Sequence, residues 1–120
     1  MNRDLVLSAL KRHRELFNAG DRDRWLANLA DEPVLEEPVG SAVRRGWEHF
    51  AQIFDVVHLT PGLRLPEPDI VVVSGREAAI SFKAPAGTDR LTDVVEIFTV
   101  GDDGRIAGVR TFIDPEALPT

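Results

Sequence analysis

The apolar residues of this chain change their spacing near residue 60, and few folds accept such a change. Before it they recur every three or four residues, the period of a helix with one buried stripe. After it they alternate, the period of a strand with one buried face. Between the two halves Pro61, Gly62, Pro66 and Pro68 break the chain into a loop with little regular structure. Helices gathered first and strands gathered second argue an α+β fold rather than alternating βα units.

The first half predicts three helices and one short strand. Over 3–18, Leu5, Val6, Ala9, Leu10, Leu16 and Phe17 share a stripe, and His13 falls within it. Gly20 ends this helix and Asp21 is suited to cap the next, about 22–30, which turns Trp25, Leu26 and Leu29 inward. A strand over 33–37 follows. A third helix from about Gly46 to Val57 has Trp47, Phe50, Ile53, Phe54 and Val57 as its expected buried face. The second half predicts strands at about 69–74, 77–84, 91–100 and 105–113. Gly75, Pro85-Ala86-Gly87 and Asp102-Asp103-Gly104 separate them, the last being the strongest hairpin signal in the chain.

A chain of 120 residues with 43% hydrophobic and 28% charged residues is expected to form one soluble domain, spanning 1–120, around one core. Its 14 basic against 20 acidic side chains argue against a nucleic-acid partner. No apolar run approaches the roughly 20 residues of a membrane span, and the first residues do not read as a signal peptide. The lack of cysteine excludes disulfides and thiolate metal sites, and fits the cytoplasm best. His13, His49 and His58 are not at metal-ligand spacing, and no nucleotide motif is present, so neither metal nor organic cofactor is expected.

Within Pro33-Val34-Leu35-Glu36-Glu37-Pro38-Val39-Gly40-Ser41, two adjacent carboxylates sit at the end of an apolar strand. A strand sends neighbours to opposite faces, so one glutamate is directed into the apolar interior, which is costly unless the site uses it. Glu96 poses the same question on the strand 91–100. Val94, Phe98 and Val100 share its face, and a carboxyl among them should hold its proton more tightly. The opposite register would instead turn Asp93, Val95 and Ile97 inward.

Several segments, Phe17-Asn18-Ala19-Gly20-Asp21, Ala30-Asp31, Glu36 to Ser41, Arg45-Gly46, Asp93 to Phe98 and Asp103-Gly104-Arg105-Ile106, together resemble the ketosteroid isomerases of the NTF2-like, or SnoaL-like, superfamily. The likeness runs along nearly the whole chain and is weakest over 58–90. It implies an α+β cone, three N-terminal helices packed on a curved, mostly antiparallel sheet around an apolar cavity. It also implies a site. The family's general base, an aspartate before the Pro-x-Gly turn, falls on Glu37. Its two oxyanion donors, a tyrosine and a protonated aspartic acid, fall on His13 and Glu96; the chain has no tyrosine at all. Ketosteroid isomerase is itself the standard example of a carboxylic acid kept neutral in order to donate a hydrogen bond.

The resemblance therefore implies a steroid Δ-isomerase-like enzyme, with Glu37 as base and Glu96 and His13 as donors. Trp25, Phe54, Phe82, Val94, Phe98, Thr111 and Ile113 would line the cavity. The same fold also carries dehydratases, cyclases, epoxide hydrolases and non-catalytic binders of hydrophobic ligands. His13 has a plainer reading as a core histidine bonded to Glu96 or to a backbone carbonyl. Glu36, on the opposite face from Glu37, is expected to be exposed or paired with Arg44 or Arg45, and Arg105 to be structural. Arg110 and Phe112 should face outward, on a sheet surface through which family members pair as homodimers. The expected partners are thus an apolar small molecule such as a steroid and a second copy of the chain.

Overall fold

In the computed structural model, which describes residues 2–85 and 90–114, the helices and strands follow the change in period. The order is α1 (Asn2–Asn18), α2 (Arg22–Ala27), β1 (Leu29–Glu36), β2 (Arg44–Arg45), α3 (Trp47–Val57), β3 (Ile70–Ser74), β4 (Glu77–Pro85), β5 (Leu91–Val100) and β6 (Ile106–Ile113). The fold is α+β, with one six-stranded sheet in the order β2-β1-β6-β5-β4-β3. All pairs are antiparallel except β1 with β6, which run parallel.

Local chemistry sets the ends of the helices. Gly20, with φ of 70°, lets α1 close with Gly20 N–H on the Phe17 carbonyl and Asp21 N–H on the Leu16 carbonyl, both at 3.0 Å. Asp21 then caps α2 by accepting from the Arg24 amide. The expected second helix stops early. Residues 29–36 join the sheet instead, where Leu29 lies opposite Ile106 and the pairing with β6 outweighs local helical preference.

The core lies between the helices and one face of the sheet. Val6, Phe17, Trp25, Leu29, Leu35, Phe50, Phe54, Phe98 and Ile106 are among its members. Trp47, expected on the buried face of α3, is instead 50% exposed: it opens the helix and overhangs the core, which is met by Phe50, Ala51 and Phe54. Asn28 ties the layers together. Its side chain donates to the Ala9 carbonyl and accepts from Arg12 Nε, and its carbonyl accepts from the Ile106 amide. Arg12 also donates to the Gly104 carbonyl, and a Cβ at Gly104 would stand 3.0 Å from Leu5, so α1 needs a glycine in that turn.

The loop between α3 and β3 is anchored although it lacks regular structure. Asn18 both donates to the Leu65 carbonyl (2.9 Å) and accepts from its amide (2.7 Å), as a strand neighbour would. This lays Leu63, Leu65 and Pro66 over the space between helices and sheet. No helix among the described residues is long and apolar enough to cross a membrane.

Candidate active site

Beneath that loop lies a cavity of about 530 Å³, lined among others by Trp25, Leu35, Glu37, Phe50, Phe82, Val94, Glu96, Val109, Thr111 and Ile113. A smaller lobe of about 220 Å³ opens between α1 and the strands β3 and β4, and Phe98 belongs to its wall. The two lobes meet at His13, Leu65, Pro66, Phe82 and Glu96. The structure thus brings His13, Glu37 and Glu96 into one cleft.

Each carboxyl arrives there by strand alternation. Leu35 is buried, so Glu37, two residues on, faces the same side while Glu36 faces away. Glu36 does not pair with Arg44 or Arg45. It accepts from Arg110 Nε (3.1 Å) and the Gly40 amide (3.0 Å), because the parallel register of β1 and β6 sets Glu36 directly beside Arg110. The Gly40 amide first, and then the guanidinium, hold the Glu36 carboxyl below the usual range. On β5, Val94, Phe98 and Val100 are buried and Asp93 and Val95 exposed, so Glu96 points inward.

Thr111, itself buried, stands between the two inward carboxyls. It is the cross-strand partner of Glu96 in the β5–β6 ladder, and its hydroxyl donates to Glu96 Oε2 at 2.9 Å. On the other side its carbonyl accepts from the Val39 amide at 2.8 Å, and the pairing of Glu36 with Arg110 brings Glu37 alongside it. Glu37, directly after the end of β1, Thr111 on β6 and Glu96 on β5 therefore form a row across the sheet.

The apolar walls change all three titrating groups. Desolvation pushes Glu96 up to about 7; the Thr111 hydroxyl opposes this and the nearby charge of Glu37 adds to it. Glu37 is also raised by desolvation, again opposed by Thr111. It nonetheless keeps accessible surface, since it borders a second, polar pocket of about 280 Å³ with Arg44, His49 and Gln52. Burial lowers His13 to about 4, so its imidazole is neutral at ordinary pH. The ring packs against Trp25 and the edge of Phe98, each 5.2 Å between centroids. Its Nδ1 bonds neither Glu96 nor a backbone carbonyl: it is buried with no partner among the described residues, as is Trp25 Nε1.

The model of the SnoaL-like domain matches residues 10–109 of this sequence. The chain belongs to that family. No curated protein matches this SnoaL-like chain. Among solved structures it is similar to SalBIII, described as an epoxide hydrolase/cyclase-like enzyme in pyran ring formation in polyether salinomycin. That likeness has a TM-score of 0.81 at 20% identity, covering 98% of this chain and 97% of the other. It is also similar to a putative polyketide cyclase from Xanthomonas campestris pv. campestris, with a TM-score of 0.78 at 18% identity over 97% and 95% of the two chains. At these identities the likeness establishes the NTF2-like fold.

Of the expected lining residues, the structure sets Trp25, Phe82, Val94, Thr111 and Ile113 on the wall of the main cavity and Phe98 on that of the smaller lobe. Phe54 lies one layer deeper, stacked on His58 at 3.9 Å and packed against Trp25 and Phe17, and lines neither lobe. Sequence reasoning missed Leu35, which shares the inward face of Glu37, and the loop residues that Asn18 holds over the cavity. For Leu35 the two-residue spacing was a usable signal; for the loop there was none. Arg105 is bound by Asp31, Asp103 and the Leu29 carbonyl, far from either lobe's lining. Among the described residues no group of three His, Asp or Glu side chains is placed to hold a metal ion.

Proposed function

We propose that this cleft is the active site of an enzyme that moves a proton within an apolar small molecule carrying a carbonyl group. One observation carries the reading: a single apolar cavity holds two inward carboxyls of unequal surroundings, Glu37 reached by solvent from a side pocket and Glu96 holding its proton to about pH 7. Glu37 is the base that takes a proton from the carbon beside the carbonyl and returns it at another carbon. Protonated Glu96 donates its O–H to the developing enolate oxygen, and neutral His13 supplies a ring N–H as the second donor. Each such donor lowers the barrier by about 3 kcal/mol. On a 3-oxo-Δ5-steroid the product is the conjugated Δ4 ketone.

A second reading is favoured by the descriptions of the two similar structures. Here Glu37 takes the proton of a hydroxyl or water while Glu96 passes its own proton to a departing or epoxide oxygen, giving ring closure, hydration or dehydration. One substitution separates the two. A glutamine at position 96 still donates a hydrogen bond but transfers no proton. Glu96→Gln should retain a substantial fraction of an isomerisation rate and abolish an epoxide-dependent cyclisation. Glu37→Gln should lower turnover by about 10²–10⁴-fold in either case, with little loss of ligand binding. The assays are steady-state rates on a 3-oxo-Δ5-steroid and on a panel of epoxy-alcohols. If wild type turns over neither, and a phenolic steroid binds no more tightly than its non-phenolic analogue, the cleft is a plain hydrophobic binding site.

The same proposal includes a homodimer formed through the outer sheet face and a cytoplasmic setting. Val95 and Phe112, adjacent across β5 and β6, are both partly exposed on that face.

A further inference from the structure

The row across the sheet contains a group to which the catalytic reading assigns no role. The Thr111 hydroxyl, bonded to Glu96 and set beside Glu37 by the strand register, lies between two carboxyls and has one hydrogen to give. If Glu37 and Glu96 are both ionised, it can satisfy only one of them. If the pair holds one proton, all three groups are satisfied at once: the protonated carboxyl donates to the Thr111 oxygen, and Thr111 donates to the other carboxylate. Either carboxyl can be the protonated one, so the same three groups support two hydrogen-bond directions.

We infer that Thr111 is a positioning residue through which Glu37 and Glu96 share one proton and exchange it. This rests on the reading of those glutamates as the acid–base pair. In ring closure or hydration each turnover leaves Glu37 protonated and Glu96 ionised, the reverse of the starting state. The reset is balanced within the row. The Glu37 O–H bond breaks as its proton moves to the Thr111 oxygen, and the original Thr111 O–H bond breaks as its proton moves to Glu96. The hydroxyl is regenerated, and one proton has crossed from Glu37 to Glu96 without entering solvent. Glu96 needs such a route more than Glu37 does, because only Glu37 borders the polar side pocket. In a carbonyl isomerisation Glu37 returns its own proton, and the Glu96 O–H turns from the Thr111 oxygen to the substrate oxygen, so Thr111 serves there only to keep the empty site singly protonated.

Other charged or titratable groups border the same pockets from the surrounding elements. His13 stands on α1, Lys83 on β4 and Arg64 on the covering loop, with Arg44 on β2 and His49 on α3 beside Glu37. None of them lies between the two carboxyls in the ladder, as Thr111 does.

The test follows the carboxyl carbons of Glu37 and Glu96 by NMR as pH is varied, with signals assigned from Glu37→Gln and Glu96→Gln. In wild type the two should titrate as a coupled pair, each signal responding to both midpoints. Thr111→Val keeps the shape and removes the hydroxyl. The bridge stabilises the singly protonated pair against both the doubly protonated and the doubly ionised states, so without it the lower midpoint should rise and the upper one fall, each by about one pH unit. Thr111→Ser should restore the wild-type curves. If Thr111→Val moves only the Glu96 midpoint, or neither, the shared proton is ruled out, and a valine effect that serine does not reverse also overturns it. The titration needs no substrate. A coupled pair in a protein whose Glu37→Gln variant keeps full turnover would leave the link standing and remove the function proposed above.

Discussion

Glu96 and His13 give the stability of the fold a pH dependence with a definite sign. Glu96 holds its proton to about pH 7 in the folded protein, whereas an unfolded glutamate releases it near 4.5. Between those values the folded state binds more protons, so the Glu96 contribution makes stability fall as pH rises, by up to about 1.4 kcal/mol per unit, and level off above 7. His13 acts oppositely. It stays neutral in the fold down to about 4 against an unfolded value of 6.5, so stability is lost as pH falls through that window. The two slopes oppose each other between about 4.5 and 6.5, and Glu37, also raised, adds to the Glu96 side. Glu96→Gln removes one slope. Its stability, followed by denaturant unfolding, should rise with pH across that window and exceed that of wild type above pH 7. Parallel profiles for the two proteins would mean that Glu96 is not desolvated. The inward glutamates were legible in the sequence because apolar neighbours two residues away mark a face. The unpaired state of His13 was not, since a helical stripe says which side is buried but not what lies opposite.

Among the elements, the strands of the second half were legible nearly to the residue, because their pairing partners are adjacent in sequence and Gly75 and Gly104 mark two of the turns; the expected Pro85-Ala86-Gly87 turn lies, beyond Pro85, outside the described residues. The first strand was not. Its early residues pair with β6, more than 70 positions away, and no local pattern records a partner at that distance. The same parallel pairing explains why Glu36 meets Arg110 instead of the arginines nearer to it in the chain. β2, of two residues, is too short to show a period at all. His58 was read only as a histidine outside any metal set, yet it joins two helix ends. Its Nδ1 lies 2.7 Å from the Phe54 carbonyl and its Nε2 lies 2.8 Å from the Phe17 carbonyl, with the ring stacked on Phe54. His58→Leu keeps apolar contact with Phe54 and removes the ring nitrogens from both carbonyls. It should cost about 1–3 kcal/mol in chemical denaturation, with the carboxyl titrations of the cleft unchanged. A loss confined to a few tenths would show that water replaces the ring at both carbonyls.

For the molecule as a whole, the outer face of the sheet decides whether the chain acts alone. Phe112 lies under the Arg110 guanidinium, 5.3 Å from its ring centre, and Val95 is its cross-strand neighbour. If this face joins two copies, Val95→Glu with Phe112→Glu should shift the protein from dimer to monomer in sedimentation equilibrium without altering the fold. A wild-type chain that sediments as a monomer at high micromolar concentration would remove that proposal. The row of Glu37, Thr111 and Glu96 has one more consequence at this scale. It runs across strands, not along one, with Glu37 directly after the last β1–β6 pair, so the backbone origins of its two carboxyls stay near two strand spacings apart, about 10 Å in all. A loop can change its length and a helix can slide, but a hydrogen-bonded ladder holds that interval like a fixed gauge. Side-chain length is then the adjustable part. A glutamate at each end, where the ketosteroid isomerases carry aspartate, shortens the free gap from both sides, and the substrates this cleft can serve are those whose proton-yielding and proton-accepting atoms fit the gap that remains.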